Sequence, residues 1–281
     1  MGALALVLAL GSSVVWGTAD FAGGSLSRRL PVLGVTVVSQ GAGFVALLVA
    51  VTVRGEVGSR SFLLGLAAGL GGGLGLAAFY RALALGTMSV VSPIAACGAL
   101  VPFVLSLATG ERPSPIALAG ALAALGGAVL ASLEERRAAA ASPERARAVV
   151  LAVVAAIALG LFVYFLGLGS RQGDPLSTLV GARVGSLAVL LGVAAVLRAP
   201  VSIARSSIAA VAAVGLADVS ANALFAVAST HGLLALVSVL GSLYPVVTVL
   251  LAHVLLGERL TRAQRAGVAL ALGGVAVIAG A

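Results

Sequence analysis

The sequence predicts an all-α membrane protein in which ten transmembrane helices form two inverted repeats of five helices. Three observations lead to this fold class: few charges, a series of long apolar segments, and similarity between the two halves of the chain. Of the 281 residues, 61% are hydrophobic and only 9% are charged, whereas about 25% of the residues of a soluble domain are charged. The composition therefore argues against a soluble domain.

Ten apolar segments are each about as long as the roughly 20 residues that a helix needs to cross a hydrocarbon core. They are too long for buried strands, and a backbone in lipid must satisfy its own hydrogen bonds, so we expect helices. The first has no basic segment before it and exceeds the apolar core of a signal peptide, which predicts a retained helix. The ten predicted helices are approximately Gly2–Ala22, Pro31–Val53, Ser61–Leu83, Ser89–Leu107, Pro115–Leu133, Ala148–Gly169, Asp174–Leu197, Ser207–Thr230, Leu233–Leu256 and Ala263–Gly280.

The two halves of the chain are similar in sequence. The segment GERPSPIALAGALAALGGAVL, which begins at Gly110, aligns without a gap with GERLTRAQRAGVALALGGVAV, which begins at Gly257. Farther upstream, Phe79 aligns with Phe225. Self-similarity of this kind indicates a duplicated unit.

The duplication predicts two repeats of five helices, at residues 1–137 and 148–281, on either side of a polar segment near the chain midpoint. Because five crossings are an odd number, the second repeat enters the membrane from the side opposite to the first. Inverted repeats are typical of secondary transporters, in which the substrate site lies near the membrane midplane between the repeats.

Basic residues outnumber acidic ones, but their positions indicate loops rather than a nucleic-acid surface. All 17 basic residues are arginines, and the nine acidic residues leave a formal net charge of +8. Most of the arginines lie between apolar segments, as in cytoplasmic loops and at helix ends of membrane proteins. We therefore expect no nucleic-acid partner. The single cysteine, Cys97, excludes an internal disulfide.

Short motifs in the predicted helices and loops identify a family that the chain resembles. The first predicted helix carries Trp16-Gly17, and the third ends in FYRAL at residues 79–83. The fourth begins with SVVSP at residues 89–93, and each repeat closes with Gly-Glu-Arg followed by a Gly-rich helix. By these motifs the chain resembles, over essentially its whole length, the ten-helix EamA-type members of the drug/metabolite transporter superfamily.

The resemblance implies a multi-pass protein of the plasma (inner) membrane that moves small organic solutes, often outward, by alternating access. It implies no particular substrate, because the family handles amino acids, nucleotide sugars, drugs and other metabolites. The second repeat departs from the pattern, since Ala226 and Val227 stand where the first repeat has a Tyr-Arg pair. A membrane-embedded enzyme and a non-transporting scaffold are the alternatives. We expect no enzyme, because Gly-x-Ser-x-Gly, Asp-x-x-x-Asp and His-Glu-x-x-His motifs are absent from the sequence.

Apart from Asp174 and Arg265, which lie in the first turns of their spans, four charged residues lie inside the predicted spans: Asp20, Arg81, Arg183 and Asp218. A charge near mid-bilayer costs about 3 kcal/mol or more, so such residues usually face a cavity or a partner. Asp218 lies near the centre of the eighth span, with Asn222 one turn further on the same face. Arg183 is the natural charge partner of Asp218 or of a substrate carboxylate. An anchoring ion pair without a ligand is the alternative.

Two further positions extend the candidate site. Asp20 lies on the same side of the first helix as Trp16, as a proton-coupling or cation site would require; a solvated carboxylate near the helix end is the alternative. Tyr244 precedes Pro245 in the ninth span, where a proline permits a kink. Arg81 lies near a helix end, where snorkelling to the interface is favoured. The candidate residues for a substrate or ion pathway are Trp16, Asp20, Gln40, Tyr80, Arg183, Asp218, Asn222 and Tyr244.

The expected partners are a small-molecule substrate, the lipid bilayer and a proton as the candidate coupling ion, with the protein a monomer or a homodimer. No catalytic residue, cofactor or metal site is predicted, because neither His231 nor His253 has another metal-binding side chain at ligand spacing. Six glycines at residues 65–75 predict close packing of the third helix, and a hinge is the alternative.

Two observations disagree on which side of the membrane the two termini lie. Loops after odd-numbered helices hold 11 arginines and loops after even-numbered helices hold four, so the positive-inside rule places both termini outside. The family resemblance favours both termini inside. Both observations place the two termini on one side.

Overall fold

The computed structural model describes residues 2–27, 29–85, 91, 94–132, 143–256 and 260–281. Its described part consists of α-helices, two short 3-10 turns and connecting loops, without a β-strand. The predicted all-helical class is therefore confirmed. The helices are α1 (Ala3–Ser27), α2 (Val32–Arg54), α3 (Ser59–Leu85), α4 (Leu100–Ala108), α5 (Pro115–Ala131), α6 (Pro143–Gln172), α7 (Pro175–Leu197), α8 (Ile208–His231), α9 (Leu234–Gly241), α10 (Tyr244–Leu256) and α11 (Arg262–Gly280).

Eight helical segments in the described part of the chain are long and apolar enough to cross a membrane, with α9 and α10 counted as one. Two shorter apolar helices, Ile94–Ala108 and Pro115–Ala131, accompany them. Some helices continue past the predicted apolar segments into polar flanks, most clearly α6. The SVVSP motif lies outside the described residues except for Val91, and the linker at residues 133–142 and the second Gly-Glu-Arg motif at residues 257–259 lie outside them as well.

The ninth predicted span is broken into two helices. α9 ends at Gly241 and α10 begins at Tyr244, directly before Pro245. Proline has no N–H to donate, and its ring collides with the carbonyl of the residue four positions earlier, which here is Gly241. The sequence predicted a kink at this proline, and the structure shows an interruption of the helix.

Side-chain caps define the starts of three helices. Ser114 accepts a hydrogen bond from the N–H of Ala117 at the start of α5, and Asp174 accepts one from the N–H of Ser177 at the start of α7. Thr261 opens α11 with a capping box. Each cap satisfies an N–H that a helix end otherwise leaves without a partner.

Helix contacts between the two repeats recur when the repeats are exchanged. α3 packs against α6 and α7, and α8 packs against α1 and α2. In the sequence alignment, α3 corresponds to α8, α1 to α6 and α2 to α7. Three further contacts, α2 with α7, α4 with α9 and α5 with α11, each join corresponding helices. The packing therefore has the same internal similarity as the sequence.

Glycines allow α3 to approach α7 at backbone distance. A Cβ atom at Gly65 would overlap the carbonyl oxygen of Thr178, and one at Gly69 would overlap that of Ala182. From the other side, a Cβ atom at Gly181 would overlap the carbonyl oxygen of Phe62. The structure thus shows the close packing that the glycines predicted, while a hinge in α3 stays a prediction.

Candidate functional site

A polar cluster lies where α2, α7 and α8 meet. Arg183 of α7 is 5% exposed, and its Nη2 donates to Asp218 Oδ2 of α8 at 2.5 Å. Its Nη1 donates to Gln40 Oε1 of α2. One carboxylate thus neutralises the buried guanidinium, and a neutral amide accepts a second hydrogen bond from it. A charge inside a membrane protein needs such partners. We call Gln40, Arg183, Ser186, Asp218 and Asn222 the Arg183 cluster.

Two further side chains complete the Arg183 cluster. Ser186 Oγ donates to Gln40 Oε1 at 3.0 Å. Asn222 Nδ2 donates to Asp218 Oδ2 at 3.2 Å and to the Asp218 carbonyl at 2.7 Å, so the two residues share the face that the sequence predicted. Every described hydrogen bond to the Asp218 carboxylate reaches Oδ2, and its side chain is 28% exposed. Oδ1 is consequently available to a ligand.

Small residues make room for this cluster. A Cβ atom at Gly215 of α8 would overlap the carbonyl oxygen of Ser39 in α2. A Cβ atom at Gly43 would lie 3.1 Å from the Gly215 carbonyl oxygen and 3.4 Å from Arg183 Nε. α2 and α8 therefore cross at backbone distance, beside the guanidinium that reaches both helices.

An aromatic group lies beside Asp20 of α1. The ring of Trp16 is 5.6 Å from that of Phe225 and 6.5 Å from that of Tyr244, with the second contact edge-on. Asp20 is exposed, forms no ion pair or hydrogen bond with any described residue, and interacts electrostatically with Asp218 and Tyr244. We call Trp16, Phe225 and Tyr244 the aromatic group.

The break between α9 and α10 positions Tyr244. Thr248 Oγ1 of α10 donates to the Tyr244 carbonyl at 3.0 Å and to the Gly17 carbonyl of α1 at 3.2 Å. A Cβ atom at Gly17 would lie 2.6 Å from Cβ of Val247. The start of α10 is thereby packed against α1, next to Trp16.

The structure brings six of the eight predicted residues into these two neighbouring groups, and Asp20 lies beside the aromatic group. Tyr80 belongs to α3, but its side chain lies outside the described residues. Arg81 is exposed and belongs to neither group. Sequence reasoning missed Ser186, although this residue follows Arg183 by nearly one helical turn. Within the described part of the chain, no three His, Cys, Asp or Glu side chains are grouped as a metal site requires.

The first Gly-Glu-Arg motif, which the sequence offered only as a marker of the repeat, holds the start of α9. The Glu111 carboxylate accepts hydrogen bonds from the N–H groups of Leu234 at 2.8 Å and Ala235 at 2.7 Å. It also forms an ion pair with Arg171 at the end of α6. A carboxylate is favourable at a helix start because it satisfies free N–H groups and interacts well with the helix dipole.

The loops that follow α2, α4, α6 and α8 lie on one side of the molecule, which we call the even-loop face. Similar contacts join the other loops of this face. Arg54 pairs with Asp174 at 2.6 Å, and the N–H of Gly58 donates to Ser177 Oγ at 2.9 Å. Partial burial raises the pKa of Asp174, but hydrogen bonds from Ser177 and the charge of Arg54 outweigh it and hold that pKa below its usual range. The two halves of the chain are thus tied together by polar contacts at this face.

Comparison with known proteins supports the fold at two levels. The model of the EamA-like transporter family matches residues 3–133 and 146–280. A solved crystal structure of a protein superimposes with a TM-score of 0.80 at 22% sequence identity, covering 99% of this chain and 96% of the other. That similarity shows a shared fold. No curated protein matches the chain significantly.

Proposed function

Because the chain belongs to the EamA-like transporter family, we propose that it is a secondary transporter that exports a small organic solute across the plasma (inner) membrane by alternating access. Ten transmembrane helices in two inverted repeats are the architecture that we propose for it. The observation that carries the proposal is the Arg183 cluster, a buried ion pair inside membrane-spanning helices with one carboxylate oxygen left open.

The charges of the site favour a solute with a cationic group. Asp20 and Asp218 carry two formal negative charges, whereas Arg183 carries one positive charge, so the group has a net formal charge of −1. Trp16 and Tyr244 lie beside Asp20 and offer aromatic faces, which attract ammonium groups. An amine or amino acid with an apolar part fits these features.

Proton coupling follows from the same carboxylates. Asp20 forms no ion pair with any described residue, so a proton and a cationic solute would compete for it. If the site faces the two sides of the membrane in turn, it can release the solute on one side after binding a proton there, so that proton and solute are exchanged. We therefore propose that a proton gradient drives solute movement through Asp20 and Asp218.

The test is transport by the purified protein in proteoliposomes, with a pH gradient imposed and ethidium or radiolabelled amino acids as the solutes. We expect the gradient to drive movement of at least one of these solutes. Asp218→Asn and Arg183→Ala should abolish it, whereas Arg81→Ala should not, because Arg81 is exposed outside both groups. Full flux in correctly folded Asp218→Asn and Arg183→Ala variants would overturn the placement of the site. Flux that ignores the gradient would overturn proton coupling.

A further inference from the structure

A cavity lies at the even-loop face. It has a volume of about 540 Å³ and lies between the end of α4, the end of α6 and the start of α9. Cavities of roughly 300–1,000 Å³ are the size that small organic ligands occupy. The residues of the Arg183 cluster and of the aromatic group do not line it. The cavity is therefore separate from the proposed transport site.

The charged lining of this cavity has an excess of positive charge. Glu111, Arg112 and Arg171 all line it. Both Glu111 oxygens already accept backbone N–H bonds, and Arg171 pairs with the same carboxylate. Arg112 donates through Nη1 to the carbonyls of Leu107 at 2.9 Å and Glu111 at 3.0 Å. Its Nη2 and Nε have no acceptor among the described residues, so this guanidinium can still bind an anion.

A buried hydroxyl group points to a ligand in the same cavity. Ser106 is 1% exposed and lines the cavity, and its Oγ has no hydrogen-bond partner among the described residues. Buried polar atoms without a partner are uncommon and cost free energy. An oxygen atom of a bound ligand would supply the missing partner.

Part of the remaining wall is apolar. Leu168, Leu233 and Leu234 line the cavity, together with the mostly buried Tyr164. Such a wall would bury hydrocarbon, whereas a small inorganic anion would leave it exposed to water. A matching ligand therefore carries both an anionic group and an apolar part.

We propose that this cavity binds an amphiphilic anion. The carboxylate or phosphate of the ligand pairs with the guanidinium of Arg112, which presents several N–H groups in one plane, and accepts a hydrogen bond from Ser106 Oγ. The apolar part packs against Leu168 and Leu233. The ligand comes from the membrane as an anionic lipid or from solution as an organic acid; the chemistry of recognition is the same.

The test measures binding to the full chain in phosphatidylcholine nanodiscs. Radiolabelled octanoate is the soluble probe, octylammonium is its cationic counterpart, and empty nanodiscs supply the background. Phosphatidylglycerol added to the nanodiscs is the lipid probe, with retained lipid counted by native mass spectrometry. Arg112→Gln and Ser106→Ala alter the cavity, whereas Arg60→Gln removes the same charge from the same face outside the cavity lining.

We expect octanoate or phosphatidylglycerol, but not octylammonium, to bind to the wild-type protein. Arg112→Gln should weaken this binding at least tenfold and Ser106→Ala about threefold, with Arg60→Gln unchanged. Ser106→Ala decides the question if Arg112→Gln fails to fold. Binding of neither anion, equal binding of octylammonium, or an equal loss in Arg60→Gln would overturn the proposal. Because no flux is measured, failure here leaves the transport proposal standing.

Discussion

Two helices that correspond under exchange of the repeats, α3 and α8, differ in the chemistry of their contacts. With Phe79 aligned to Phe225, Gly72 of α3 takes the place of Asp218 in α8, and Leu76 takes the place of Asn222. A Cβ atom at Gly72 would lie 3.0 Å from the ring of Phe162 in α6. α3 therefore packs tightly on α6 and α7, whereas α8 carries polar side chains toward α2 and α7.

Residues that are alike in the two repeats therefore provide the packing of the helices, and residues that differ between the repeats form the candidate site. Packing needs only small residues at corresponding positions, so both repeats can supply it. A charge in lipid needs a specific partner, and it is α8 that supplies one, by pairing Asp218 with Arg183. We expect substitutions in α3 to affect folding and those around Asp218 to affect transport.

The largest effect should come from filling the tight interface. Gly69→Leu would place a side chain against the backbone of α7, where even a Cβ atom overlaps the Ala182 carbonyl, and should destabilise the protein by about 3 kcal/mol. Gly192→Leu is the matched control, because nothing lies within 4 Å of a Cβ atom there. Thermal denaturation in detergent measures both, and equal melting temperatures would show that the interface is loose.

The next effect separates stability from transport. Asp218→Asn leaves the buried Arg183 without a counter-charge and should cost about 3 kcal/mol. The double variant Arg183→Met/Asp218→Leu should recover most of that stability, because apolar residues of similar volume often replace a buried ion pair without loss. It should nevertheless be inactive. A double variant as unstable as Asp218→Asn would show that the pair serves mainly to hold the fold.

Sequence reasoning succeeded where the physical cause is local. Pro245 interrupts its helix because of its own missing N–H, and the cost of an isolated charge in lipid predicts a carboxylate partner for Arg183, with Asp218 as one of two candidates. Gln40 was named as a candidate, but its contact with Arg183 depends on how α2 crosses α7. The contact of Glu111 with α9 joins residues more than 120 positions apart. Such contacts arise from tertiary packing, which residue spacing along one helix does not encode.

A smaller effect should appear at the even-loop face. Glu111→Gln removes the charge that holds the start of α9 and Arg171, and should cost about 1 kcal/mol. Hydrogen exchange at the amides of Leu234 and Ala235 should become faster, because these N–H groups donate to that carboxylate. Glu56→Gln, at an exposed loop position, is the control. Unchanged exchange at both amides would contradict the role assigned to Glu111.

The smallest effect concerns pH at the same face. Because the pKa of Asp174 is lowered in the folded protein, its stabilising contribution is complete above the pKa of an unfolded aspartate, about 3.9. The contribution is lost as the pH falls through the lower, folded value. Arg54 is largely exposed, so the effect should stay below about 1 kcal/mol. Melting temperatures at pH 3 and pH 6 should differ less in Asp174→Asn than in the wild type.

The most direct test of the asymmetry between the repeats is flux through the folded double variant Arg183→Met/Asp218→Leu. Proteoliposomes with equal amounts of wild-type and variant protein receive the same pH gradient and the same solute. The account predicts solute movement by the wild type and none by the variant, although both melt at similar temperatures. Wild-type flux in the double variant would contradict it.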